Sequence, residues 1–125
     1  MLPTNLTDFL YRLLACPALP GALFLLPGTL VARHPPRKLN IFYGYRTRRS
    51  MLNQDTWTVA NQFSTLMMIR VARPCILFGI VCSFLIPFPA ILMVAAGATL
   101  VMVVMILVLT ERRLISLFDR KGNRK

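Results

Sequence analysis

Residues 89–109, PAILMVAAGATLVMVVMILVL, carry no charge and a single hydroxyl. At ~1.5 Å of rise per residue, a helix of this length covers roughly 30 Å, the thickness of a bilayer's hydrocarbon. A soluble amphipathic helix would show a polar face, and this run has none. It is therefore read as lipid-embedded, and every other segment has to be fitted around it.

The charge balance agrees. The 15 Lys and Arg against 4 Asp and Glu leave a formal charge of +11 in a chain that is 56% hydrophobic. So few acids cannot pair so many bases, and the positive charge must face anionic headgroups or nucleic acid. The loop interleaves aromatics with arginine but matches no nucleic-acid reader motif and adjoins lipid, so no nucleic-acid partner is expected.

Two more spans are expected, at about 13–32 and 68–87. Pro17, Pro20 and Pro27 kink the first; Arg70 and Arg73 open the second, where their long stems reach back to the headgroups. IPFP, residues 86–89, forms the tight turn between the second and third spans. A cleaved signal peptide is the competing reading of residues 1–32, but Arg12 alone would form its basic region and the small-residue cleavage pattern is missing, so the segment is read as retained.

With three spans, the basic loop 33–67 and the basic tail 110–125 fall on the same side. The positive-inside rule makes that side cytoplasmic and the amino terminus external.

From Ser50, a plausible N-cap, the pattern turns helical, with Asp55 near the helix start. Leu52, Val59, Ala60, Phe63, Leu66 and Met67 share one stripe, which suggests an interfacial amphipathic helix lying between the first and second spans. On the opposite face Asn53, Trp57 and Asn61 stack at i, i+4, i+8 together with Ser64. Trp57 is either an interfacial anchor or packs on the GYRT turn while the two asparagines bond that turn's backbone; both readings require partial burial. The fold class expected is thus an all-α membrane protein, one membrane domain of three transmembrane helices plus this cytoplasmic interfacial helix.

NIFYGYRTRRSMLNQDTWTVAN, residues 40–61, resembles the signature of the SdpI-like (SdpI/YfhL) family of bacterial membrane proteins. The matching positions are Asn40, Gly44, Tyr45, Arg46, Thr47, Ser50, Asn53, Trp57, Ala60 and Asn61. In the tail, Glu111, Leu114, Phe118, Asp119 and Gly122 match short members of the same family. The resemblance implies a multi-pass protein of the bacterial inner membrane. It also implies immunity to, or sensing of, a membrane-active toxin peptide, with that peptide or a cytoplasmic regulator as partner besides anionic lipid; a homo-oligomer is open.

The residues expected to carry binding are Asn40, Gly44, Tyr45, Arg46, Thr47, Ser50, Asn53, Trp57, Asn61 and Glu111. Glu111 pairs either locally with Arg112 and Arg113 or, the favoured reading, with Arg46 or Arg70.

Small residues recur every four positions at Cys75, Gly79 and Ser83, and again at Ala95 and Thr99, which suggests close contact between the second and third spans. Cys16, Cys75 and Cys82 lie in apolar segments and read as packing residues. One histidine, His34, cannot build a multi-histidine centre, so neither metal nor cofactor is expected. The four scattered acids offer no paired carboxylates, and no enzyme is expected. A small oligomeric transporter or channel is the alternative function; against it, the third span has no charge at mid-depth.

Overall fold

A computed structural model describes residues 4–39 and 42–125. Its four helices are α1 (Leu6–Ala15), α2 (Ala18–Arg33), α3 (Gln54–Leu85) and α4 (Ala90–Leu117). An isolated antiparallel bridge, Phe118 to Arg124, is the one piece of extended pairing among the described residues.

α3 and α4 are 32 and 28 residues long, or about 48 and 42 Å, so each crosses roughly 30 Å of hydrocarbon with turns to spare. Both are apolar enough to cross a membrane, and α1 with α2 makes a third candidate if that bent pair counts as one span. Leu77, Phe78, Val81, Leu100, Val101 and Val104 all point outward. Water would be a poor solvent for such a surface and lipid a good one.

The separate interfacial helix expected before the second span is not a separate element: its residues are the first turns of α3, one uninterrupted rod from Gln54 to Leu85. No proline or glycine falls between Gln54 and Arg73 to break it. Its start is set by Asn53, not Ser50. The Asn53 side chain accepts from the Thr56 N–H at 2.9 Å, and the Thr56 hydroxyl accepts from the Asn53 N–H at 3.1 Å, a reciprocal box that closes two free donors. Asp55 does occupy the first turn.

The face expected to be polar is buried. Trp57, Asn61 and Ser64 point into the bundle together with Ala60 and Met67 from the apolar stripe, whereas Leu52 and Leu66 of that stripe are exposed. When the surroundings are lipid, polar groups turn inward and leucines outward.

The proline-bearing first segment bends at Pro17, where α1 and α2 meet at 54°. Proline has no N–H to return to the preceding turn, which is why the helix changes direction there. α1 reaches back to Leu6, beyond the expected start, and it too is inverted. Leu6, Leu10, Tyr11 and Leu14 face outward while Arg12 is buried, paired with Asp8 at 2.9 Å.

The small-residue face of α3 meets α2 and not α4. Cys75 Sγ bonds the Pro17 carbonyl at 3.4 Å, and a Cβ on Gly79 would overlap Pro17 and Ala18. Gly21 of α2 returns the fit, since a Cβ there would lie 2.7 Å from Ile76 Cγ1. A bent chain brings backbone, not side chains, against α3 at that level, so only small residues fit. Two apolar clusters close the ends: Cys16, Cys82 and Ile91 beside the bend, and Ala60, Leu114 and Phe118 at the loop end.

Candidate functional site

At the loop end the α2–α3 connection, the first turns of α3, the last turns of α4 and the tail come together. Gly44 has φ +103°, a conformation that side chains with a Cβ rarely adopt. A Cβ there would also overlap Asn61 and lie 3.2 Å from Trp57 Cζ2. Glycine thus lets the turn lie flat on the indole.

Asn61 fixes that turn. Its Oδ1 accepts from the Tyr45 N–H at 2.7 Å, and its Nδ2 donates to the Trp57 carbonyl one helical turn back at 2.9 Å. Nearly all of Asn61 is buried, so both bonds form away from water, where an unmade one is costly. Trp57 is fully buried and packed on the GYRT turn, which favours the second reading over the interfacial anchor, but of the two asparagines Asn61 bonds that turn's backbone while the Asn53 side chain bonds Thr56 and Gly122 instead. Its Nε1 and the Thr110 hydroxyl are buried without a hydrogen-bond partner.

Tyr45 turns its hydroxyl to α4, donating to Glu111 Oε1 at 3.1 Å. Burial, and then the neighbouring Glu111 charge, push this phenol well above its ordinary value, so it remains a donor. The guanidinium on Glu111 is that of Arg49, at 3.7 Å, in place of the expected Arg46 or Arg70. The Thr47–Ser50 turn explains the change. Ser50 Oγ accepts from the Thr47 N–H at 2.8 Å and donates to the Tyr45 carbonyl at 3.1 Å, curling the chain so that Arg49 faces α4. Arg46 and Arg48 lie on the exposed side of the turn, and Arg70 is exposed farther along α3.

Asn53 has a second task. Its Nδ2 donates to the Gly122 carbonyl at 2.7 Å and so ties the tail to the start of α3. A bidentate pair, Arg124 to Asp55 at 2.7 and 2.9 Å, adds to that link. The tail is pre-shaped for it. Asp119 accepts from the N–H groups of Lys121 and Asn123 at 2.8 and 2.9 Å, which hold its carboxyl below the usual range, and Gly122 takes φ +85°. Phe118 is buried beneath Arg124, whose guanidinium lies 5.8 Å from the ring centre.

Of the expected site residues, Gly44, Tyr45, Thr47, Ser50, Asn53, Trp57, Asn61 and Glu111 thus form one connected cluster, Arg46 lies at its surface, and Asn40 falls outside the described residues. Asp55, Arg49, Gly122 and Arg124 were not among them. Their contacts join positions up to 69 residues apart, which no local pattern signals; that Gly122 matched the family was the one available hint. Among the described residues no three His, Cys, Asp or Glu side chains are grouped to hold a metal ion. The cluster's polar atoms hold backbone in place, and what it offers outward is a rigid, arginine-bearing surface.

The family model described as the SdpI/YfhL protein family matches residues 37–110, which takes in most of the loop, all of α3 and most of α4. A relative named "Uncharacterized protein YfhL", from Bacillus subtilis (strain 168), is 39% identical over 98 residues, covering 75% of this chain and 81% of the relative. No solved structure matches.

Proposed function

Since this chain belongs to the SdpI/YfhL family and carries helices long and apolar enough to cross a membrane, we propose that it is a non-enzymatic integral membrane protein that confers immunity to, or senses, a membrane-active toxin peptide. The carrying observation is the loop-end cluster. Asn61, Glu111 and Asn53 each bind a different segment there, and the result is a fixed surface from which Arg46 and Arg48 project. A surface held this rigidly loses little entropy when a partner docks.

In this reading the chain sits in the bacterial inner membrane, with the loop and tail in the cytoplasm by the positive-inside rule and the amino terminus outside. A peptide working within the bilayer meets the helix bundle, and a cytoplasmic regulator meets the loop-end surface.

Challenge of cells by membrane-active peptides secreted by related bacteria tests the proposal. Deletion is expected to lower survival, and Arg46→Ala, at an exposed position of the loop-end surface, to lower it in strains whose immunoblots show wild-type membrane abundance. Equal survival of wild type, deletion and variant strains counts against immunity.

A further inference from the structure

Between the loop end of α2 and the facing half of α3 lie two cavities of about 300 and 340 Å³. Val31, Asn61 and Thr65 line both, so the two share a wall: the outer cleft, about 300 Å³, takes in Ala32, Pro35 and Pro36, and the inner one, about 340 Å³, takes in Gly44. The outer cleft is graded. Towards the middle of the bundle it is walled by Leu66 and Ile69, and towards the loop by Thr58 and Gln62. Thr58 and Ile69 are about 16 Å apart along α3, so the gradient runs from headgroup depth into the hydrocarbon.

The rim is basic and fixed in place. Ala32, Pro35 and Pro36 line the cleft, and the exposed Arg33 and Arg37 stand next to them in the chain. Gln54 holds that backbone, donating to the Arg37 carbonyl at 2.8 Å and accepting from the Leu39 N–H at 3.1 Å.

All four acids of the chain are engaged elsewhere: Asp8 with Arg12, Asp55 with Arg124, Glu111 with Tyr45 and Arg49, and Asp119 with its own turn. In these contacts no carboxylate competes for Arg33 and Arg37, and an anion from outside the protein can approach them. An apolar cleft whose mouth is formed by residues adjacent in the chain to two exposed arginines has the chemistry of an anionic-lipid site.

We propose that this cleft holds one anionic glycerophospholipid, with its phosphate against Arg33 and Arg37 and an acyl chain along Val31, Leu66 and Ile69. The site is separate from the toxin reading and stands or falls without it.

The chain's one tryptophan sits beside the cleft, because Asn61 lines it and bonds the Trp57 carbonyl. Bromine on an acyl chain quenches indole emission only at short range. The full chain is reconstituted with brominated phosphatidylglycerol or brominated phosphatidylcholine at equal mole fraction, with circular dichroism confirming that each variant is helical. Quenching by the anionic lipid is expected to be about twice that by the zwitterionic one. The excess should disappear in the double variant Arg33→Gln, Arg37→Gln and also in Val31→Phe, which fills the shared wall but leaves the rim. Equal quenching in the wild type, or an excess that survives the arginine changes, overturns the site. Loss in the arginine variant alone means headgroups held at the surface with no chain in the cleft, and it also overturns the assignment.

Discussion

Tyr45 touches three elements at once, through a backbone N–H on α3, a hydroxyl on α4 and a carbonyl on Ser50. Its hydroxyl is held protonated by burial and by the Glu111 charge, so its folded pKa lies above the unfolded value of 10.0. A group raised in this direction contributes its stability in full below about pH 10 and loses it as pH climbs beyond. In phenolate absorbance of the protein in detergent, Tyr45 is expected to remain un-ionised just above pH 10, with its ionisation accompanying unfolding. Tyr45→Phe should abolish that late component, and a titration unchanged by the substitution would contradict it. The role of Tyr45 was legible in the sequence as a family position. That its hydroxyl finds Glu111, 66 residues away, was not, because only the antiparallel return of α4 brings the two together.

At the scale of elements, two long apolar helices and the break between them at residues 86–89 could be read directly, since apolar length and paired prolines act locally. The start of α3 was harder to read. Amphipathic spacing over residues 52–67 is the same whether a helix lies on the membrane or emerges from it, and only the inward turn of Trp57 and Asn61 distinguishes the two. The small-residue stripe told where a close crossing occurs but not with which partner. Two glycines separate these meanings. Gly79 sits against the backbone of Pro17 and Ala18, while nothing lies within 4 Å of a Cβ on Gly97. Gly79→Ala must push α2 away from α3 and is expected to cost about 1–3 kcal/mol, towards the upper end because the neighbour is main chain. Gly97→Ala faces open lipid and should be neutral or gain up to about 1 kcal/mol of helix propensity. Unfolding in detergent followed by circular dichroism compares the two; equal effects would show that the α2–α3 crossing leaves room for a methyl group at Gly79.

For the whole molecule, the tail constrains topology independently of the charge rule. Asn53 to Gly122 and Asp55 to Arg124 join the loop end of α3 to the chain beyond α4. In the proposed membrane arrangement this puts loop and tail on one side, with α3 and α4 crossing as a pair whichever way the protein is inserted. The α1–α2 segment determines where the amino terminus lies. α2 alone spans about 24 Å, short of the hydrocarbon thickness, and the 54° bend at Pro17 leaves α1 to complete the crossing or to lie along the surface. The Arg12–Asp8 pair favours placing α1 at headgroup depth on the far side, since a guanidinium at mid-bilayer is expensive even when paired. Cysteine labelling with a membrane-impermeant maleimide resolves this. Thr4→Cys is expected to react in intact cells, and Arg48→Cys and Arg120→Cys only after permeabilisation, because all three positions are exposed and the native cysteines lie in apolar segments. Protection of all three in intact cells would make α1–α2 a re-entrant hairpin and reduce the crossings to two. Reaction of Arg48→Cys in intact cells would reverse the orientation and move the arginine surface to the outside, where a secreted peptide would meet it first.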